Sequence, residues 1–276
     1  TTWQRANLLA VQPVWGFPLR PRTTYAVVLT EDFVSKVADR RVEEQADKDL
    51  QAVLIEHRVQ PDRVAFAFTF TTQDPVGEMA RFEERIEHDL HKPALDQSVK
   101  QFQNTNYMGA YEGRMWIPVW QHGEKPYFSA GGAFEYDGAQ MPILFGWEEV
   151  AFTVSIPHGD MPSDGWPVVI YGHGTGGNSR GFANSTNPLE PANILADVGI
   201  AGFGISLPLH GERASNLDPA LASFNYLNPD SARAVFRQGA LDQIYLAELL
   251  TARTHTFELS DDRFAKLNPN KVAYMG

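Results

Sequence analysis

The chain predicts an α/β fold preceded by a β-rich segment. Three observations carry this. From residue 166 onward, short apolar strands alternate with helical segments, the pattern of a sheet with helices on both faces. The strand over 167–171 runs directly into Gly172-His-Gly-Thr-Gly-Gly177, a glycine-dense turn. The first 75 residues hold β-branched and aromatic runs, as strands do.

In chain order, residues 1–75 read as a partial β-sandwich domain. Tyr25-Ala-Val-Val-Leu-Thr30 and the run Val64–Thr72 are its strands, and Phe66, Phe68 and Phe70 alternate with small residues as on a half-buried strand. Residues 31–60 between them read as charged, helical and partly loop. Residues 76–104 read as a connector built on a helix over 77–91, where Met79, Phe82, Ile86 and Leu90 recur at near-helical spacing. Residues 105–276 read as half of an α/β sheet domain. Asp137-Gly138 signals a hairpin. Val150, Phe152, Val154 and Ile156 alternate along an antiparallel strand. A helix over 189–198, a strand over 200–206 and a helix over 231–254 carrying Val235, Leu241, Ile244, Leu249 and Leu250 then lead to a strand over 271–275. The expected sheet is mostly parallel.

Composition narrows the function classes. Of 276 residues, 43% are apolar, enough for a sizeable core. The net charge of −11 argues against a nucleic-acid partner, since phosphate binding needs clustered Lys and Arg. With no cysteine, disulfides and cysteine metal sites are excluded. No apolar run reaches membrane-spanning length. No signal peptide is read at Thr1, and the chain reads as cut at both ends.

The glycine loop admits several chemistries. Gly172, Gly174 and Gly177 fit G-x-G-x-x-G after a strand, the dinucleotide fingerprint. Against that, the next strand ends at Ser206 rather than at an acidic residue for a ribose, and His173 crowds a pyrophosphate approach. A phosphate-binding P-loop needs Lys-Ser/Thr, and Asn178-Ser179 stand there. An oxyanion loop fits: H-G-x-G after a central strand lets a backbone N–H face a developing negative charge. A plain strand-to-helix turn is the unadorned alternative.

Two resemblances follow from these residues. Pro18-Leu-Arg-Pro-Arg-Thr-Thr-Tyr25-Ala-Val-Val-Leu, with Phe-Thr-Phe-Thr-Thr-Gln-Asp-Pro75, resembles the last part of a bacterial immunoglobulin-like domain. Trp166–Gly177, Ser206-Leu-Pro-Leu-His-Gly-Glu-Arg213 and Lys271–Gly276 together resemble the α/β-hydrolases of the bacterial lipase and esterase type. The second resemblance implies the N-terminal half of a hydrolase sheet, with Tyr274-Met-Gly276 opening a G-x-S-x-G elbow whose serine lies beyond Gly276. It implies a serine carboxylic-ester hydrolase in the complete protein and an inactive 276-residue chain. Thr175, Gly174 and His173 would form the oxyanion loop, and Gly176, His210, Phe224 and Tyr226 would touch substrate. Walls would come from 178–187 and 211–230, with Leu217 and Leu221 beside Phe224 and Tyr226. The acid and base of the triad would lie downstream. No cofactor and no metal are implied. Implied partners are an ester or lipid substrate and a cell or membrane surface, in a secreted, periplasmic or outer-surface bacterial setting. Another acyl-transfer hydrolase such as a peptidase, or an inactive surface-binding module, uses the same scaffold.

Other residues read as structural. Gly204-Ile-Ser206-Leu-Pro208 resembles an elbow without its last glycine, and Pro208 makes Ser206 a strand end. His88 and His91, three apart on the acidic connector helix, read as solvated rather than metal-binding. His173 reads as a structural hydrogen-bonder, because the base comes last in this triad order.

Overall fold

The computed structural model describes residues 11–33, 48–214, 217–259 and 263–276. The chain forms two compact units that divide after Glu78.

In the first unit, β1 (Thr24–Thr30) pairs antiparallel with β2 (Val64–Thr71). Helix α1 (Lys48–Glu56) sets Leu50 and Leu54 against Ala67, with Ala26, Val28, Val59 and Val64 around them. The alternation expected along this strand is present. The strand is half-buried, but its alanine face is the covered one, because small side chains let a helix approach. Phe68 and Phe70 remain 39% and 37% exposed, and Tyr25 stacks on Phe70 with ring centroids 6.0 Å apart. Among the described residues this unit holds a two-stranded sheet with α1 on one face. The described residues show no second sheet of an immunoglobulin-like sandwich.

Helix α2 (Pro75–Glu84) begins where the Asp74 carboxylate accepts the Gly77 N–H at 3.0 Å. It continues as one π turn over Arg85–Asp89. Phe82 and Ile86 are fully buried in the second unit, where the Phe82 ring meets Trp120 edge-on at 5.1 Å. Residues 79–104, read from sequence as a connector, therefore contribute core and a strand to the second unit.

That unit is a seven-stranded sheet. Its strands are β3 (Lys100–Asn104), β4 (Met108–Val119), β5 (Gly146–Pro157), β6 (Trp166–Tyr171), β7 (Ala201–Ile205), β8 (His255–Glu258) and β9 (Phe264–Met275). Their spatial order is β3-β4-β5-β7-β6-β9-β8. Only β7–β6 and β6–β9 run parallel; the other neighbours pair antiparallel. The expectation of a mostly parallel sheet is thus corrected to a mixed α/β sheet with a parallel centre. The long β4–β5 pairing, from Met108↔Pro157 to Val119↔Gly146, accounts for the difference. The loop between these strands reverses sharply at Asp137, whose carboxylate accepts the N–H groups of Ala139 and Met141, both at 2.9 Å.

Strand β9 is also longer than the expected 271–275. Its first half pairs with β8 and its second half with β6, with the register broken between Leu267 and Val272. Asn268-Pro269-Asn270 sits in that break, where the missing N–H of proline costs no ladder bond.

Helices cover both faces. Helix α5 (Pro229–Ala252) presses Leu241, Tyr245, Leu246, Leu249 and Leu250 onto Phe152, Ile170 and Phe203. Helix α3 (Pro191–Asp197) sets Ala192 and Ala196 beside Met108, Ala110 and Phe182. Alternate residues of β4 serve the two cores: Tyr111, Met115 and Ile117 join the first, Met108 and Ala110 the second. Gly202 and Gly204 keep the α3 side of β7 bare, since a Cβ there would stand 2.4 and 2.9 Å from the Phe182 ring.

The connections place the site. From β6 the chain passes through α3 to β7 on one side. From β7 it returns through α4 (Pro219–Phe224) and α5 to β9 on the other side of β6. A reversal of this kind opens a crevice beyond the strands' carboxyl ends.

Candidate active site

A cleft of about 330 Å³ lies at that reversal. The loop after β6 contributes His173, Gly174 and Thr175, and the turn after β7 contributes Leu207, Pro208 and His210. Helix α5 contributes Val235, Phe236, Gly239, Ala240 and Gln243, with Ser223 from α4 and Tyr274 from β9 completing the lining. The β6 loop and the end of β9 are in close contact. Gly172 N–H donates to the Met275 carbonyl at 2.8 Å. A Cβ on Gly172 would stand 2.2 Å from the Tyr274 hydroxyl, so glycine is what permits this approach.

His173 organises the loop. Its Nδ1 lies 2.8 Å from the Gly174 carbonyl, and its Nε2 accepts the Leu207 N–H at 2.9 Å. The carbonyl can only accept, so Nδ1 carries the proton and the ring is neutral. Burial, chiefly, holds its pKa below the ordinary histidine value, against the pull of the Gly174 bond. One imidazole thereby ties the β6 loop to the β7 turn. Gly174, Thr175 and Gly176 stay exposed. A Cβ on Gly174 would meet nothing within 4 Å, so neither packing nor backbone conformation demands glycine there; the open space belongs to the cleft. Gly176 has φ +84°, which closes the turn.

The β7 turn is pinned from beneath. Ser206 Oγ donates to Glu212 at 2.7 Å and accepts the Ser179 N–H at 3.0 Å. Ser206 is fully buried, which fits a strand-end role and not a nucleophile. Arg213, 2% exposed, donates through Nη1 to the Ser206 carbonyl and to Asp242, both at 2.8 Å, and through Nη2 to Glu148 at 2.9 Å. Lys125 completes the cluster on Glu148. Burial pushes Glu148 up, but Arg213 and Lys125 outweigh it and hold this carboxyl below its usual value. Burial pushes the Asp242 carboxyl up, with Arg213 and Gln238 pulling against it.

His210 is 6% exposed, and its ring centroid lies 5.1 Å from that of His173. Its Nδ1 donates to the Pro208 carbonyl at 2.9 Å.

The structure thus brings together His173, Gly174, Thr175 and His210. It does not bring Phe224 or Tyr226 to the cleft. Phe224 packs tilted against the lining ring of Phe236, with centroids 5.3 Å apart, and does not itself line the cleft. Tyr226 is 83% exposed and lies away from it. Of the expected walls, only Ser223 among the described residues lines the cleft. Leu217 packs with Leu209, Ala222 and Val235 instead, and Leu221 is 66% exposed. His88 pairs with Glu87 at 3.4 Å. No group of three metal-ligating side chains occurs among the described residues. The sequence reading missed the α5 lining. Its signal was available: 235/236, 239/240 and 243 recur at helical spacing with small residues in the middle.

Neither a protein-family model nor a curated protein matches the chain. Among solved structures, it is similar to a protein described as an acetyl xylan esterase from Bacteroides fragilis, at 15% identity and a TM-score of 0.40. The match covers 72% of this chain and 45% of that one, so the chain spans under half the length of the protein it resembles.

Proposed function

We propose that this chain supplies the oxyanion side of a carboxylic-ester hydrolase that works, in the complete protein, through a serine acyl-enzyme. One observation carries the reading. The His173-Gly-Thr175 loop lies beside the end of β9, tied by the Gly172 N–H to Met275 bond of 2.8 Å, with Thr175 and Tyr274 lining one cleft. Oxyanion loop and nucleophile elbow stand on adjacent strands in the hydrolases that the sequence resembles, and the β6–β9 pairing has that arrangement. On this reading a serine hydroxyl two places after Gly276 attacks the ester carbonyl carbon and passes its proton to a histidine. The carbonyl oxygen becomes an oxyanion that the Thr175 N–H meets. The C–O bond breaks, the alcohol leaves with that proton, and water then releases the acid and restores the serine. The substrate is an ester or a lipid, and export to the periplasm, the outer surface or the medium goes with it.

The test is p-nitrophenyl acetate turnover by the complete protein. Replacing the residue two places after Gly276 by alanine should lower kcat by roughly 10⁶-fold. Turnover that survives this change, or a residue other than serine at that place, overturns the mechanism.

A further inference from the structure

The cleft holds an unmet set of polar atoms. Ser223 and His210 are 1% and 6% exposed. Ser223 Oγ, His210 Nε2 and both amide atoms of Gln243 are buried without a hydrogen-bond partner among the described residues. All three side chains line the same cleft. Polar atoms left this way inside a protein cost free energy, and most buried ones are paired. Their company is otherwise apolar: Leu207, Pro208, Val235 and Phe236.

Their chemistry selects a ligand. His210 Nδ1 spends its proton on the Pro208 carbonyl at 2.9 Å, which leaves Nε2 as the lone-pair acceptor of the neutral tautomer. It asks for a donor. Ser223 Oγ both donates and accepts, and the Gln243 amide does both through separate atoms. A hydroxyl is the smallest group that satisfies an acceptor and a donor at once. An alkyl chain satisfies neither, and a carboxylate offers His210 no proton.

We propose that this cleft takes an ester carrying a hydroxyl group, held by His210, Ser223 and Gln243, in preference to an ester with a plain alkyl chain. The proposal rests on the hydrolase reading and names the substrate class of that site. The hydroxyl can sit on the acyl part or on the alcohol part, and matched substrates separate the two.

The complete protein is assayed with p-nitrophenyl 3-hydroxybutyrate against p-nitrophenyl butyrate, and with 2,3-dihydroxypropyl acetate against propyl acetate. A ratio of kcat/KM of roughly tenfold or more for the hydroxylated member of one pair is expected, from one or two hydrogen bonds that the other member cannot make. That pair identifies the hydroxylated half. In His210→Phe, which keeps a ring and removes the acceptor, the ratio should fall towards one; Gln243→Leu is the second variant. Turnover of the esters without preference in either pair overturns the proposal and leaves the hydrolase reading standing. If none of the four is turned over, the hydrolase reading fails, and imidazole ¹⁵N NMR decides the cleft. A shift of the His210 Nε2 signal on adding 3-hydroxybutyrate or 2,3-dihydroxypropyl acetate supports a hydroxyl site; no shift with either overturns it.

Discussion

The loop after β6 and the turn after β7 face the same cleft from neighbouring parallel strands, yet they are built on opposite plans. The turn over 206–213 is anchored below by Ser206, Glu212 and a buried Arg213 that meets two carboxylates. The loop over 172–177 exposes Gly174, Thr175 and Gly176 and is tied through one imidazole and one contact with β9. The difference separates scaffold from instrument. Charge burial fixes the wall against which a ligand leans. The segment proposed to meet the reacting oxygen keeps backbone groups bare, because side chains there would fill the space that substrate needs.

The comparison breaks if the turn proves no stiffer than the loop. Arg213→Met strands Asp242, fully buried, without its cation and leaves Glu148 to Lys125 alone. Removing one partner of a buried pair costs about 3–5 kcal/mol, which urea unfolding of the variant would register as a large drop in midpoint. A loss below about 1 kcal/mol would show that the cluster behaves as a surface pair and does not pin the turn.

The loop should show the reverse. Gly174→Val adds a side chain where a Cβ meets nothing within 4 Å, so folding stays close to wild type. In the complete enzyme, kcat for p-nitrophenyl acetate should fall on the order of 10²–10³-fold, as when an oxyanion donor is lost, because the valine fills the space through which the reacting oxygen reaches the Thr175 N–H. A folded variant with unchanged turnover would reduce the loop to a turn.

A smaller effect comes from the imidazole that joins the two. The folded pKa of His173 lies below its unfolded value, chiefly through burial. The native state therefore binds fewer protons than the unfolded chain in that window. The stability it contributes is complete above about 6.5 and is lost as pH falls from there through the lower folded value. His255 is shifted in the same direction by burial and adds to the same slope. Protonating His173 Nε2 also removes the acceptor of the Leu207 N–H, a bond of about 0.5–1.5 kcal/mol. The thermal midpoint should drop between pH 7 and pH 5, with Leu207 amide exchange accelerating over the same range. A slope that His173→Phe leaves unchanged would assign the effect elsewhere.

The sequence made the centre of this fold legible and its flanks obscure. Strands over 167–171 and 200–206 and the helix over 231–254 are apolar elements bounded by glycine or proline, and β6, β7 and α5 lie where the periodicity puts them. Strand β9 was half seen because Pro269 reads as a boundary, whereas it occupies a break in register within one strand. On β2, the alternation of phenylalanine with alanine showed a half-buried strand but not which face is covered; the close approach of α1 favours the smaller one. For the site, His173 and His210, each followed by glycine, were visible as motifs. Ser223 lay inside an expected wall without being singled out and Gln243 carried only its helical spacing, because a lone polar residue on a helix looks solvated until the fold closes over it.

The break in β9 bears on the order of assembly. Strand β6 pairs with β7 across a short crossover, but its other edge waits for Val272–Met275, roughly 100 residues later in the chain. At the ribosome's pace of about 5–20 residues per second, that interval is roughly 5–20 s. Throughout it, the nascent protein holds the glycine loop without the strand end that it leans on. The cleft therefore acquires its shape only once β9 is made, and a chaperone that shields the open edge of β6 acts on the site before the site exists.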